Sequence, residues 1–394
     1  MSISSTYQKW LLLGAVLPLC AFGQRSDGLR FGNFKLSPYV SLDASYDSNV
    51  RLQTDDSDDM VYRVSPGLDA DYSGTDWGIT GNAWYSYDIY QKYDDLNAHR
   101  YGEDLEVFVE SLKGWKFLIG ERYNFSNQND SMLTGGGSGV WRNRHQFDLN
   151  GLLSYAVSEK LSLGLTAMYT DNWFDSDTEK YQPLYGFSSV QVGGESDYAI
   201  TPLTGLLLNG SYQYYMTDGE AEDEKDGATG YSLMAGFGSR LTERIRYRVL
   251  GGINVYSTDS DTTMSPALNT SVSWTMSQRW ALTFATANYY QPSETSKGQA
   301  KNIWSLSAGV NYKPTERVGM TADFVYRRED SETTSDSVTT KDYSTDQYAV
   351  RYRASYWFIR YASVYAAAEY TFQSEEIQDD WDRIRLSMGC MFRY

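Results

Sequence analysis

Apolar and polar residues alternate at a period of two along most of the chain, and the pattern is cleanest in its last stretch, Trp381 to Tyr394. There Ile384, Leu386, Met388, Cys390, Phe392 and Tyr394 share one parity, and Arg383, Arg385, Ser387, Gly389, Met391 and Arg393 share the other. Successive side chains of a strand point to opposite faces, so this spacing predicts a strand with one apolar and one polar face. The first such stretch sets Leu36, Pro38, Val40, Leu42, Ala44 and Tyr46 against Ser37, Tyr39, Ser41, Asp43, Ser45 and Asp47. The second sets Met60, Tyr62, Val64, Pro66, Leu68, Ala70 and Tyr72 against Arg63, Ser65, Gly67, Asp69 and Asp71.

Carried through the chain, the alternation predicts strands over 34–47, 60–73, 76–91, 99–111, 114–126, 141–157, 160–174, 184–199, 203–217, 228–240, 243–257, 265–276, 278–291, 301–313, 316–328, 342–358, 361–373 and 381–394. The stretch 184–199 alternates least well, because Val190-Gln191-Val192-Gly193-Gly194-Glu195 breaks the rhythm. Tight turns are expected at 73–76, 111–114, 157–160, 200–202, 240–243, 276–278, 313–316 and 358–361, with longer polar loops between them, including 126–140, 217–228 and 328–342. Short turns on one side and long loops on the other, with an even strand number, form the signature of a transmembrane antiparallel up-and-down β-barrel. The expectation is about 18 strands, with 16 as the alternative, over residues 34–394, and no plug domain. An open sheet edge cannot face hydrocarbon, so the last strand must pair with the first.

Composition agrees. The chain has 34 Tyr, 11 Trp and 33 Gly but only 8 Pro. Its mean hydropathy is −0.52. A barrel strand needs only half its residues apolar, so average hydropathy misses it. Trp77, Trp115, Trp274, Trp280 and Trp357 lie beside expected tight turns, and Trp141, Trp173, Trp304 and Trp381 beside expected loops. Amphipathic rings gather at the two membrane interfaces, so these positions predict aromatic girdles, with Trp84 pointing inward.

Residues 1–23 read as a secretory signal: Lys9, then the short apolar run Leu11 to Phe22, then the small-x-small site Ala21-Phe22-Gly23. A short segment, 24–33, precedes the barrel. Beyond the signal one cysteine remains, Cys390, which leaves no intrachain disulfide. The net charge of −17 argues against nucleic acid as a partner. The expected partners are outer-membrane lipid and lipopolysaccharide, the barrel-assembly machinery and polysaccharide export components.

If the apolar parity meets lipid, the other parity lines the lumen. Early strands then contribute Asp43, Asp69, Asp71, Asp88, Asp104, Glu106 and Glu110. Late strands contribute Arg246, Arg248, Arg317, Arg327, Arg351, Arg353, Arg383, Arg385 and Arg393. Two readings stand side by side: a transverse field across a wet pore, or local pairing such as Asp43 with Arg383 or Arg385. The acidic stretches Asp55 to Asp59, Glu220 to Asp226, and Glu375, Glu376, Asp379 and Asp380 could hold divalent cations, although solvated loops explain them as well. The loop carrying Gly135-Gly136-Gly137 could fold inward as a constriction or be an ordinary loop. No cofactor is expected. No enzyme is expected either: His99 and His145 are the only histidines, and neither sits in an arrangement that would serve as a general base.

Pro38-Tyr39-Val40, Tyr46-Asp47-Ser48-Asn49-Val50 and Val64-Ser65-Pro66-Gly67-Leu68 resemble the outer-membrane β-barrel porin family, some members of which are associated with exopolysaccharide export systems. The resemblance implies an outer-membrane barrel and supplies no catalytic residues. It leaves three functions open: passive diffusion of small hydrophilic solutes, a conduit for exopolysaccharide export, and a structural surface barrel. The terminal Phe392 and Tyr394 resemble the C-terminal signal read by the barrel-assembly machinery.

Overall fold

The computed structural model describes residues 28–52, 57–111, 114–127, 143–175, 186–217, 226–242, 244–258, 262–292, 300–331, 343–375 and 380–394. The expected signal peptide and the glycine-rich 135–137 lie outside these residues. A short β1 (Leu29–Phe31) folds back on β2 (Phe34–Asp47), with Leu29 opposite Leu36. The staves that follow are β3 (Asp59–Ser73), β4 (Trp77–Tyr90), β5 (Ala98–Glu110), β6 (Trp115–Ser126), β7 (Arg144–Ala156), β8 (Leu161–Phe174) and β9 (Phe187–Ala199). They continue with β10 (Thr204–Thr217), β11 (Asp226–Thr242), β12 (Ile245–Ser257), β13 (Thr262–Thr275) and β14 (Trp280–Pro292). The last are β15 (Ala300–Tyr312), β16 (Val318–Ser331), β17 (Tyr343–Ile359), β18 (Ala362–Glu375) and β19 (Trp381–Arg393). Every stave from β2 to β19 pairs antiparallel with its chain neighbours, and β19 pairs with β2, which closes an 18-stranded barrel. The poorly alternating stretch is a full stave, β9, paired along its length with β8 and β10.

Five of the tight turns share a local device that the alternation did not reveal. Ser158, Thr201, Thr242, Ser277 and Thr315 each accept two backbone N–H groups, from the residues two and three further on, at 3.0–3.3 Å. A short hydroxyl side chain thereby satisfies donors that the ladder leaves over where the chain reverses.

The apolar parity faces outward. Leu42, Val64, Leu105, Leu165, Val192, Leu233, Val350 and Leu386 are all exposed. The girdle expectation holds in part: Trp77, Trp115, Trp173, Trp274, Trp280 and Trp304 take this outer parity. Trp357 and Trp381 do not. Trp357 opposes buried Ser363, and Trp381 shares the parity of Arg383 and Arg385. Proximity to a strand end sets the height of a ring and leaves its face undetermined. Trp84 points inward as expected, set between Gly67 and Gly102, where the ring lies 3.1 Å from any Cβ added to Gly102. Trp141 lies outside the described residues.

One seam in the wall is incomplete. β13 and β14 pair only from Leu268 opposite Asn288 to Thr275 opposite Ala281, whereas β12–β13 and β14–β15 stay paired to their loop ends. Pro266 stands just beyond the last pair and has no N–H to give the ladder. The freed end of β14 is held from within. Asn254 of β12 donates to the Asn288 carbonyl at 3.3 Å and to its side-chain oxygen at 3.2 Å. The Tyr215 hydroxyl of β10 donates to the Tyr290 carbonyl at 3.2 Å, and Tyr290 stacks on Tyr256 at 5.4 Å. Tyr215 and Tyr290 belong to strands separated by three others, so their bond is a chord through the interior.

Candidate functional site: the lumen wall

Asp43, Asp69, Asp71, Asp88, Asp104 and Glu106 take the inner parity of β2–β5. Arg246 and Arg248 take it in β12, Arg327 in β16, Arg351 and Arg353 in β17, and Arg383, Arg385 and Arg393 in β19. Glu110 ends β5 at the turn, where it pairs with Lys116 at 2.7 Å and both side chains are exposed. Arg317 is corrected: it precedes β16 in an exposed turn, because the stave starts at Val318 after the Thr315 hydroxyl turn.

Most of these charges are neutralised by neighbours. Arg63 holds Asp88 through two bonds, Nε at 2.6 Å and Nη2 at 2.7 Å, and Arg100 reaches the same carboxylate at 3.2 Å. Arg122 bonds Asp104, Arg351 bonds Glu369 at 3.0 Å, and Arg393 bonds Asp69. Lys301 and Arg327 converge on buried Glu329 at 3.2 and 2.6 Å. The closing seam carries the densest cluster. Asp47 receives Arg383 at 2.6–2.9 Å and Arg385 at 2.8–3.1 Å, and its side chain is 0% exposed. The expected pairing of Asp43 with Arg383 or Arg385 is therefore corrected: the register sets Arg385 opposite Asp47 and leaves Asp43 opposite Gly389. The ion pairs favour local pairing for these groups. Arg353 is different. It lies over the Tyr365 ring at 3.9 Å and, among the described residues, has no carboxylate within ion-pair distance. The same holds for Arg246 and Arg248, at the turn end of β12.

The opposite arc of the wall, β9 to β14, is neutral toward its loop end. Gln191, Gln213, Asn254 and Asn269, with Tyr215 and Tyr290, border an open recess, and none of the described residues lining it is charged.

Exposure changes steadily along the barrel. On the inner face of β17, Arg353 is exposed and Arg351 half-buried, while Ala349, Gln347 and Thr345 are buried. On β4, Thr80 is exposed, Asn82 and Trp84 are half-buried, and Ser86, Asp88 and Tyr90 are buried. The interior is thus wide at the turn end and tightly lined at the loop end. At that end Val50, Val61, Tyr90 and Leu96 form an apolar cluster with Tyr93 beside it. Asp59 fixes this cap by accepting the amides of Met60, Lys92 and Tyr93 at 2.7–3.1 Å. Asp58 bonds the Lys92 ammonium at 2.8 Å and so raises its pKa. These two acids of the 55–59 stretch are turn and rim groups. Among the described residues no cluster of metal-ligating side chains gathers. Asp55, Asp56, Glu220 to Glu224, Glu376 and Asp379 lie outside the described residues.

Carboxylates interrupt the apolar exterior: Glu103, Glu121 and Asp171 share the outer parity of β5, β6 and β8 with Tyr101, Phe125 and Leu149, and Asp330, Asp346 and Asp382 take it toward the loop ends of β16, β17 and β19. Both histidines belong to the aromatic cluster above the first three. His145 stacks on Trp173 at 4.9 Å, its Nδ1 is 2.8 Å from the Tyr123 hydroxyl and its Nε2 is 3.2 Å from Asp175. His99 stacks on Phe125 at 5.2 Å.

No protein-family model matches the chain, so the porin-family likeness rests on the quoted N-terminal residues alone. No curated protein sequence matches either. Among solved structures, the siderophore receptor PirA from Acinetobacter baumannii is similar at a TM-score of 0.48 and 7% identity, covering 93% of this chain and 81% of that one. The FrpB iron transporter from Neisseria meningitidis, in its apoprotein form, gives 0.48 and 9%, covering 93% and 82%. The copper transporter OprC gives 0.48 and 9%, again covering 93% and 82%. Likenesses of this size leave the function of the chain to be argued from its own wall.

Proposed function

We propose that the protein is an outer-membrane channel that lets small hydrophilic solutes pass by diffusion, with no catalytic step and no plug. One observation carries the reading: the wall closes on itself with an apolar exterior and an interior of charged, amide and hydroxyl groups. A closed strand cylinder satisfies every backbone group internally, as hydrocarbon requires, and leaves a polar bore. Short turns face the periplasm in such barrels, so the wide end of the bore faces the periplasm and the tightly lined end faces outward. An export path for an anionic polymer along the arginines is less well supported, since Arg351, Arg383, Arg385 and Arg393 are already paired with carboxylates.

Purified protein in a planar bilayer is expected to give stable conductance steps, and a silent membrane at all voltages would overturn the reading. Replacing Arg246, Arg248 and Arg353 together by Ser removes three inner-face cations that have no carboxylate within ion-pair distance among the described residues. The reversal potential in a salt gradient is expected to move toward cation selectivity, and an unchanged potential would place these side chains off the solute path.

The barrel-assembly machinery is the partner proposed for the C-terminus. Tyr394 donates its amide to Pro38 at 3.0 Å and stacks on Tyr361 at 5.6 Å. Deleting Phe392 to Tyr394 is expected to reduce the membrane-inserted fraction far more than deleting three residues from within 332–342. Equal insertion of the two variants would show that the end has no special role.

A further inference from the structure

We propose that the neutral recess on the β9–β14 arc is a binding site for a short neutral saccharide, which names the solute class of the channel and rests on that reading. On β3–β5 and at the closing seam the inner face carries ion pairs. Here the groups are carboxamides, hydroxyls and tyrosine rings, with no charged group among the described lining residues.

Each half of that description points to a sugar. A carboxamide offers a donor and an acceptor side by side, which matches two neighbouring hydroxyls of a pyranose. Gln213 lies directly opposite Gln191 on the adjoining strand, so two carboxamides project together from the wall. Asn254 and Asn269 face the same recess from β12 and β13. The ring of Tyr290, fixed by its stack on Tyr256 and by the Tyr215 bond to its carbonyl, gives a flat apolar surface for the C–H face of a sugar. A charged solute would lose water here without meeting an opposite charge, which is costly; a neutral polyol loses less and regains it in hydrogen bonds.

A second observation marks the site as incomplete. The Ser232 hydroxyl borders the recess, is out of contact with solvent and has no hydrogen-bond partner among the described residues. Buried polar groups are nearly always bonded, so an orphan at a cavity wall signals a missing partner.

The test is calorimetric titration of the full-length barrel in detergent micelles with maltotriose, cellotriose and mannotriose, and with trigalacturonate as the anionic counterpart. At least one neutral trisaccharide is expected to bind with a millimolar or tighter constant, and trigalacturonate about tenfold more weakly or not at all. Gln213→Ala and Asn269→Ala, each checked for a heat-modifiable folded band, are expected to weaken that binding about tenfold, while Ser65→Ala on the charged arc leaves it unchanged. No heat from any of the three neutral sugars overturns the proposal. So does equal affinity for trigalacturonate, or full affinity in both recess variants. Binding in micelles needs no open pore. Sugar binding with a silent bilayer would therefore sink only the channel reading, and conductance without sugar binding would sink only the saccharide site.

Discussion

Asp47→Ala is expected to destabilise the barrel by about 3–5 kcal/mol, the usual cost of breaking a buried ion pair by removing one partner. Asp47 sits at the loop end of the closing seam, and its side chain is out of contact with solvent. Arg383 and Arg385 each meet it through both Nε and Nη2, and the Asn49 amide adds a bond at 3.1 Å. Alanine removes the carboxylate on which all of these converge and leaves two guanidinium groups facing each other on one arc. The seam has little else to fall back on, since β19 and β2 share only nine paired positions, fewer than most neighbouring staves. Urea unfolding of the detergent-folded protein, followed by tryptophan fluorescence, measures the effect. The double variant Asp47→Ala, Arg383→Ala should recover part of the loss, because it removes the strongest uncompensated charge; purely additive losses would deny the coupling. A single variant as stable as the parent would show that the cluster contributes nothing.

Leu386→Arg should cost about 2–4 kcal/mol in a bilayer, whereas Ser387→Arg, its direct neighbour, should cost less than about 1 kcal/mol. Leu386 is 52% exposed on the outer parity near the middle of β19. An arginine there must place its charge in hydrocarbon or drag water inward. Ser387 lies between Ser45 and Ala367, two small residues of the inner face, so a long cationic side chain has both room and water. Consecutive residues of one strand thus differ in tolerance because they meet two different solvents. Folding into lipid vesicles, scored by heat-modifiable migration, separates them. Equal losses at the two sites would mean that the exterior does not meet hydrocarbon.

Which face each residue takes was largely legible in the sequence. Period two fixes parity, and a stave of 13 residues such as β19 offers enough positions for the pattern to be unambiguous. The alternation of short turns and long loops fixed strand number and direction. What was not legible is stagger. Parity does not say how far one strand slides along the next, and that slide decided that Asp47, and not Asp43, meets Arg383 and Arg385. It also decided that Asp59 turns to the Lys92 and Tyr93 amides, a pairing set by where two loops meet. The outer carboxylates Glu103, Glu121 and Asp171 could have been read from parity, since each interrupts an apolar row. The parting of β13 from β14 had a visible signal in Pro266, but a proline in an otherwise alternating stretch does not reveal which neighbour loses its bond. The neutral arc is a property of six strands taken together, and no single strand displays it.

The nearest-neighbour wiring of the wall has a kinetic consequence. Seventeen of the eighteen pairings between staves join strands adjacent in the chain, so each can form as a hairpin as soon as its two arms exist. The remaining one joins residues at least 338 positions apart, and closing so long a loop costs about 5 kcal/mol in chain entropy on the logarithmic scale. Local steps are therefore fast and individually reversible, and one slow step follows them all. Until that step occurs, β2 and β19 present bare edges that hydrocarbon cannot satisfy. Ring closure and membrane insertion then become a single event, and the barrel gains nearly all of its stability at the moment the last stave docks. A chain whose ring has not closed has the same hairpins without that closure, which makes it a natural target for degradation before it reaches the membrane.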